Sequence, residues 1–274
     1  MWHDRRSVIE SARSRLNVRI SGHGRVPLVF AHGFGCDQTM WRFVAPAFEP
    51  DYRVIAFDYA GHGGAATPSD PEKYGRLDAY ASDVLEICRE LDVEHGVFVG
   101  HSVSSIVGVL AANREPDRFD DLIMIGPSPR YINEGGYIGG FERQDIEGLL
   151  DALASNYVAW SRTMAPVIMG RPDRPLLGEE LAESFCRTDP AIANEFAKAC
   201  FLSDNRLDLA SVRQRCLVLQ CSEDAIAPVA VGRYVHQHLP DSQFVLLHAT
   251  GHCPHLSAPD ETIAAMRAFL RRRR

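Results

Sequence analysis

The segment "VGHSVSS", Val99–Ser105, decides how this chain is read. It closes the apolar run "HGVFVGHS" (His95–Ser102) and leads directly into the helical stretch "SIVGVLAANREP" (Ser105–Pro116). A serine between a buried strand and a helix stands where a nucleophile elbow requires it. Gly100 allows close packing at such a turn, Val103 offers its backbone N–H, and the following helix adds the positive end of its dipole. The general pattern has a glycine where this chain has Ser104, a small residue that fits a similar space. The plain alternative for Ser102 is a small residue in a tight turn, so the decision rests on whether the rest of the chain supplies partners.

Working outward, the same kind of run recurs. "RVPLVFAHG" (Arg25–Gly33), "YRVIAFDYAG" (Tyr52–Gly61), "DLIMIGPSP" (Asp121–Pro129), "RCLVLQCSED" (Arg215–Asp224) and "SQFVLLHATGH" (Ser242–His252) each place a short apolar stretch before a glycine, proline or polar turn. Continuous apolar strands of this kind predict a parallel sheet covered on both faces. "LDAYASDVLEICREL" (Leu77–Leu91) sets Ala81, Val84, Leu85, Cys88 and Leu91 on one helical face, and "DETIAAMRAFLRRR" (Asp260–Arg273) opens with an acidic cap signal. Strands alternating with helices predict a doubly wound α/β fold. Between about Tyr131 and Ala210 the pattern is helical without a convincing strand. The expected organisation is therefore an α/β core, residues 1–130 and 211–274, with a helical cap, residues 131–210, over the carboxyl ends of the strands, where open α/β sheets bind ligands.

A nucleophilic serine needs a base, an acid to orient it, and donors for the oxyanion. "HATGHCPHLS" supplies His252 in the loop after the last strand, preferred over His255 because it directly follows Gly251. "CSEDAIAP" supplies the acid, Asp224 or Glu223, and the shorter Asp224 is favoured at the loop apex. The chain order Ser, Asp, His is that of serine hydrolases built on α/β sheets. "AHGFG" (Ala31–Gly35) fits a second oxyanion loop, with the Phe34 N–H turned inward.

Other chemistries find less support. The net charge of −7 argues against nucleic acid or an anionic membrane as the main partner. The seven cysteines are odd in number, widely spaced and without a CxxC pair, which predicts reduced thiols in a cytoplasmic protein. No signal peptide or bilayer-spanning run is read, and the terminal "RRRR" is taken as the solvated end of the last helix. "GHGGAA" (Gly61–Ala66) imitates a dinucleotide loop but opens no helix, and "GHCPH" (Gly251–His255) lacks metal-ligand companions at suitable spacing. No cofactor and no metal are expected.

Taken together, "HGFGCDQTMW", "GHSVSSIVGVLAANREPDRF", "MIGPSPRYIN", "GGFE", "QCSEDAIAPVAVGRYVHQHLP" and "GHCPHLSAPDETI" resemble the RsbQ-type hydrolases of the α/β-hydrolase superfamily. That group includes a bacterial stress-response regulator and, further off, plant karrikin and strigolactone receptor hydrolases. The resemblance runs from about Val18 to Leu270, and Ser104 is similar to the "GHSVS" of the plant receptors. It implies Ser102, Asp224 and His252 as a catalytic triad, Phe34 and Val103 as oxyanion donors, and a four-helix cap over a closed apolar pocket. Tyr131, Phe141, Trp160, Met164, Phe201 and Ile226 are the implied substrate contacts, beside Phe34 and Val103.

The expected activity is a carboxylesterase- or lactonase-like serine hydrolase acting on a small hydrophobic substrate through an acyl-serine. Two alternatives accompany it: a signalling component that senses or releases a small ligand and regulates a protein partner, and a carbon–carbon bond hydrolase. The chain is expected to be a monomer or weak homodimer.

Overall fold

The computed structural model describes residues 11–68 and 70–271. The basic end read above as a solvated helix terminus falls, for residues 272–274, outside the described residues.

Seven strands form one sheet: β1 (Arg19–Ser21), β2 (Val26–Ala31), β3 (Tyr52–Ala56), β4 (Gly96–His101), β5 (Phe119–Ile125), β6 (Arg215–Glu223) and β7 (Ser242–Thr250). Their order across the sheet is β1-β3-β2-β4-β5-β6-β7. Every neighbouring pair is parallel except β1 with β3. All six residues of β4 are buried. Successive side chains of a strand point to opposite faces, so both faces of the central sheet are covered. The six apolar runs of the sequence are the six parallel strands. β1 escaped notice because all three of its residues are exposed and it sits at an edge, so it carries no apolar signal.

Among the described residues, ten α-helices accompany the sheet. Those of the sheet layers are α1 (Ala12–Arg15), α2 (Leu77–Glu90) and α3 (Val103–Arg114). Four more, α4 (Arg143–Ser155), α5 (Tyr157–Met169), α6 (Pro175–Arg187) and α7 (Pro190–Phe201), lie in sequence between β5 and β6. The last three are α8 (Val229–His238), α9 (Pro254–Ser257) and α10 (Pro259–Leu270). Helix α2 buries Ala81, Val84, Leu85 and Cys88, the predicted face, while Leu91 caps its end half-buried. Helix α3 is apolar all round because residues 103–112 are all buried against β4, β5 and α2. Three of the four inserted helices start on side-chain caps, a reciprocal capping box at Glu142 and Asp145 and capping side chains at Asn156 and Asp189, while α6 opens on Pro175.

One close contact positions everything that follows. A Cβ placed on Gly100 would lie 2.5 Å from the backbone carbon and oxygen of Ser104, so the start of α3 rests directly on the end of β4. Gly100→Ala should therefore force the two elements apart. The expected loss of unfolding free energy is about 1–3 kcal/mol, the range for overpacking a filled core. Denaturant titration of wild type and variant measures it, and an unchanged midpoint would refute the contact.

Candidate active site

The turn from β4 into α3 holds Ser102 at φ 56° and ψ −125°, a left-handed setting unusual for a residue with a Cβ. Its N–H is secured by the Ile125 carbonyl of the neighbouring strand at 2.7 Å. The Ser105 hydroxyl donates to the Gly100 carbonyl at 2.9 Å and fastens the first turn of α3 to the strand. Ser104, the departure from the glycine of the general pattern, has a distinct role. Its hydroxyl donates to the His32 carbonyl and meets the Tyr59 hydroxyl at 2.8 Å. It thus ties α3 to the loop after β2, where a glycine would leave both groups without this link.

The Ser102 Oγ lies 2.8 Å from His252 Nε2, and His252 Nδ1 lies 2.7 Å from Asp224 Oδ2. The second carboxylate oxygen of Asp224 accepts from the N–H groups of Ile226 at 2.8 Å and Ala227 at 3.0 Å. Asp224 and His252 side chains are 1% and 4% exposed, so this relay runs out of water. Burial pulls the Asp224 carboxyl upward. The facing imidazole and the two N–H donors outweigh burial and leave the pKa below its ordinary value. The alternatives separate on position. Glu223 ends β6 exposed, and its carbonyl accepts from Gly251. His248 is exposed and pairs with Glu261 at 2.9 Å.

Two buried histidines fix the surrounding loops. His101 Nε2 lies 2.8 Å from the His252 carbonyl, which only accepts, so His101 carries its proton there. His32 uses both nitrogens: Nδ1 donates to the Gly33 carbonyl at 2.9 Å and Nε2 accepts the Tyr59 N–H at 3.1 Å. The glycine-rich loop once comparable to a dinucleotide site serves as scaffold, its Gly64 N–H donating to Asp58 at 2.9 Å. Cys253 and His255 are buried beside His101, their ligand atoms within 4.8 Å of one another. Sequence spacing did not reveal that third residue. Here the rings pack, His255 4.5 Å from His101 and 4.8 Å from Trp41. All seven cysteines are free thiols.

Above Ser102 lies an apolar cavity. Of the residues singled out in the sequence, Phe34, Tyr131, Trp160, Met164, Phe201 and Ile226 line it. Phe141 does not. Its backbone pairs with Tyr131 and Asn133 and closes the loop that leaves β5. Val103 is buried at the head of α3 and is not among the residues that line the cavity. Each inserted helix adds to the lining: Leu149 from α4, Ile168 from α5, Phe185 from α6 and Cys200 from α7. These four were not singled out because an apolar residue on an amphipathic helix reads as ordinary core. The Tyr131 hydroxyl reaches Ser102 Oγ at 3.5 Å, and burial holds the phenol neutral by raising its pKa far above the ordinary value.

Helix α5 is joined to the loop that carries His252. The His252 N–H donates to the Ile168 carbonyl at 2.8 Å, and the Thr250 hydroxyl donates to the Gly170 carbonyl at 3.1 Å. Arg174, just beyond α5, donates to the Ser257 carbonyl at 2.9 Å. The approach is close enough that a Cβ on Gly251 would sit 1.8 Å from the Met169 carbonyl oxygen.

A strand–serine–helix turn, an Asp and a His from later strand ends, and an inserted helical layer define an α/β hydrolase. Residues 28–265 match the family model described as "Alpha/beta hydrolase family", and the chain belongs to that family. It is 38% identical over 262 residues to the Karrikin insensitive 2 receptor CA of Petunia hybrida, covering 94% of this chain and 96% of that one. It is also 38% identical over 260 residues to the Strigolactone esterase D14 of Arabidopsis thaliana, covering 94% and 95%. Among solved structures, a hydrolase from Oleispira antarctica is 40% identical, with a TM-score of 0.92 over 95% of this chain and 96% of that one. Among the described residues, no helix is long and apolar enough to cross a membrane.

The buried histidines make a prediction about acid. Burial first, and then neighbouring imidazoles, bring His62 and His101 down to about 3. Their folded values lie below the unfolded value of about 6.5, so from there down to about pH 3 the unfolded chain binds the extra protons. Stability is full above pH 6.5 and falls as pH drops, by up to about 1.4 kcal/mol per pH unit for each group. Urea titrations at pH 7, 6 and 5 should show this decline. A level profile over that range would refute the neutral, desolvated state of these rings.

Proposed function

We propose that the chain is a serine hydrolase of small apolar esters or lactones. The observation that carries this reading is the Ser102–His252–Asp224 relay, at 2.8 and 2.7 Å, opening into an apolar cavity. His252 Nε2 takes the Ser102 proton as Oγ attacks the carbonyl carbon. The tetrahedral oxyanion rests on the backbone N–H groups of Phe34 and Val103, with the N-terminus of α3 behind it. His252 then returns the proton to the leaving oxygen, and the acyl-serine forms. A water deprotonated by the same imidazole attacks the acyl carbon and frees the acid and Ser102. Asp224 keeps the proton on Nδ1, so that Nε2 is the acceptor when Ser102 is attacking, and it stabilises the imidazolium that follows. The helices α4–α7 act as a cap that excludes water from the intermediate. The relatives named as esterases support this reading.

A second reading has a specific support. Relatives of similar identity are named receptors, and α5, which lines the cavity, is hydrogen-bonded to the His252 loop. Pocket occupancy and the outer face of the cap would then be linked, and a regulatory protein partner would read the cap.

Hydrolysis of p-nitrophenyl acetate, followed from the first milliseconds, tests both. Wild type should give a burst and steady turnover, and Ser102→Ala should lose the serine-dependent rate by a factor on the order of a million. A burst followed by almost no turnover would favour the regulatory reading. Equal rates for the two proteins, with no fluorophosphonate labelling of wild type, would remove Ser102 as nucleophile.

A further inference from the structure

We infer that His101, Cys253 and His255 bind a single divalent ion of the zinc class, and that the bound ion inhibits the enzyme by displacing His252. The first half stands on geometry alone, and the second rests on the serine-hydrolase reading. The sequence offers "GHCPH" (Gly251–His255) no companion ligand at suitable spacing. The fold supplies one, bringing His101 from the end of β4 beside Cys253 and His255 at the start of α9. Their ligand atoms, two imidazole nitrogens and a thiol sulfur, lie within 4.8 Å of one another. Two imidazoles and a thiolate suit zinc and cobalt, and they do not suit a hard ion such as Mg²⁺.

Several features prepare these groups for an ion. His101 Nε2 donates its proton to the His252 carbonyl at 2.8 Å, so Nδ1 carries a lone pair. A ligating imidazole is usually fixed in this way, by a bond from its other nitrogen. That Nδ1 is buried with no hydrogen-bond partner among the described residues, as are both nitrogens of His255. Buried polar atoms left unpaired are costly and call for a partner. Gly33 keeps the space beside Nδ1 clear. A Cβ on it would lie 2.4 Å from that nitrogen, close to the length of a metal–ligand bond. The ion has a way in, since His101 and Cys253 border the cavity above Ser102. The Cys253 thiol releases its proton to solvent as the sulfur–metal bond forms, and no oxidation accompanies the step.

The effect on hydrolysis follows from where the ligands sit. Cys253 directly follows His252 in the chain, and His101 holds the His252 carbonyl. Tetrahedral zinc sets its nitrogen and sulfur ligands roughly 3.3–3.6 Å apart. Drawing the three groups together from their present spacing therefore pulls on the backbone at His252, by up to about 1 Å. A misplacement of about 1 Å can cost about a hundredfold in rate. The loss falls on kcat more than on KM, because the displaced group is the base.

The experiment uses the full chain, stripped with EDTA and then freed of chelator. Co²⁺, a visible substitute for zinc, should give the bands of a tetrahedral ion and a near-ultraviolet thiolate-to-cobalt band, with a single ion per chain. Cys253→Ala should lose the thiolate band and bind at least about tenfold more weakly. Cys253→Ser, closer in volume, replaces it if the alanine variant does not fold. Ser102→Ala should keep both sets of bands, since the nucleophile is no ligand. Zn²⁺ should lower wild-type kcat on p-nitrophenyl acetate at least about tenfold, and EDTA should restore it. Mg²⁺ should have no effect, and Cys253→Ala should keep most of its own metal-free rate in Zn²⁺. Absence of the thiolate band, or the same band in folded Cys253→Ala, would overturn the site. Binding without loss of kcat, or equal inhibition of wild type and Cys253→Ala, would overturn the link to His252. Hydrolysis indifferent to Ser102 defeats the hydrolase reading, whereas the cobalt spectrum decides the site independently of it.

Discussion

The contact between the end of β4 and the start of α3 is the constraint on which the rest depends. With Gly100 offering no Cβ, the helix begins directly on the strand, and Ser102 is forced to φ 56° between them. A non-glycine residue in such a setting costs of order 1–3 kcal/mol and persists only where its surroundings hold it. They do so here. The Ser102 N–H is bound by Ile125 at 2.7 Å, the Ser105 hydroxyl is bound by Gly100, and ten successive residues of α3 are buried. The strained turn raises Oγ off the sheet toward the cavity and leaves the head of α3 behind it. Geometry and electrostatics at the proposed nucleophile are thus one consequence of a missing methyl group.

The polar groups beneath this turn are arranged so that none needs to be charged. His32 donates to Gly33 and accepts from Tyr59, and His101 donates to the His252 carbonyl. Both rings hold loops, one carrying Phe34 and the other carrying His252. Ser104 joins the first loop to α3 through the His32 carbonyl and Tyr59. In a medium of low polarity such neutral links are stronger than in water, and a charge would be costly. The Asp224 carboxylate is met by an imidazole and two N–H groups.

What could be read from sequence followed from how local each signal is. The six buried strands and the order of Ser102, Asp224 and His252 were legible because each lies at the end of a continuous apolar run. The β1 strand was not, since three exposed residues at an antiparallel edge carry no pattern. Within the cavity, Tyr131, Trp160 and Phe201 lie where expected, but Phe141 serves a loop instead. Phe141 lies in that loop, before α4, whereas the overlooked Leu149, Phe185 and Cys200 share one cause. An apolar side chain on an inserted helix has the same periodicity whether it faces a ligand or its own core, and only tertiary packing separates the two. The link from α5 to the His252 loop had no sequence signal beyond two glycines about eighty residues apart.

That link bears on how a hydrolase and a receptor can share one architecture. An acyl-serine under a closed cap has two fates, attack by water or persistence. Attack needs a water beside His252 Nε2, in a cavity lined almost wholly by apolar side chains. On the proposed mechanism deacylation depends on water reaching that nitrogen, and α5 is hydrogen-bonded to the loop that carries the base. Of the four inserted helices α4 buries the fewest side chains, only Ile146 and Leu153, yet it contributes Leu149 to the cavity. On the proposed mechanism, space made at α4 would admit water and leave His252 in place, whereas space made at α5 would displace His252 and preserve the acyl-enzyme. The two proposed readings then differ in which inserted helix yields.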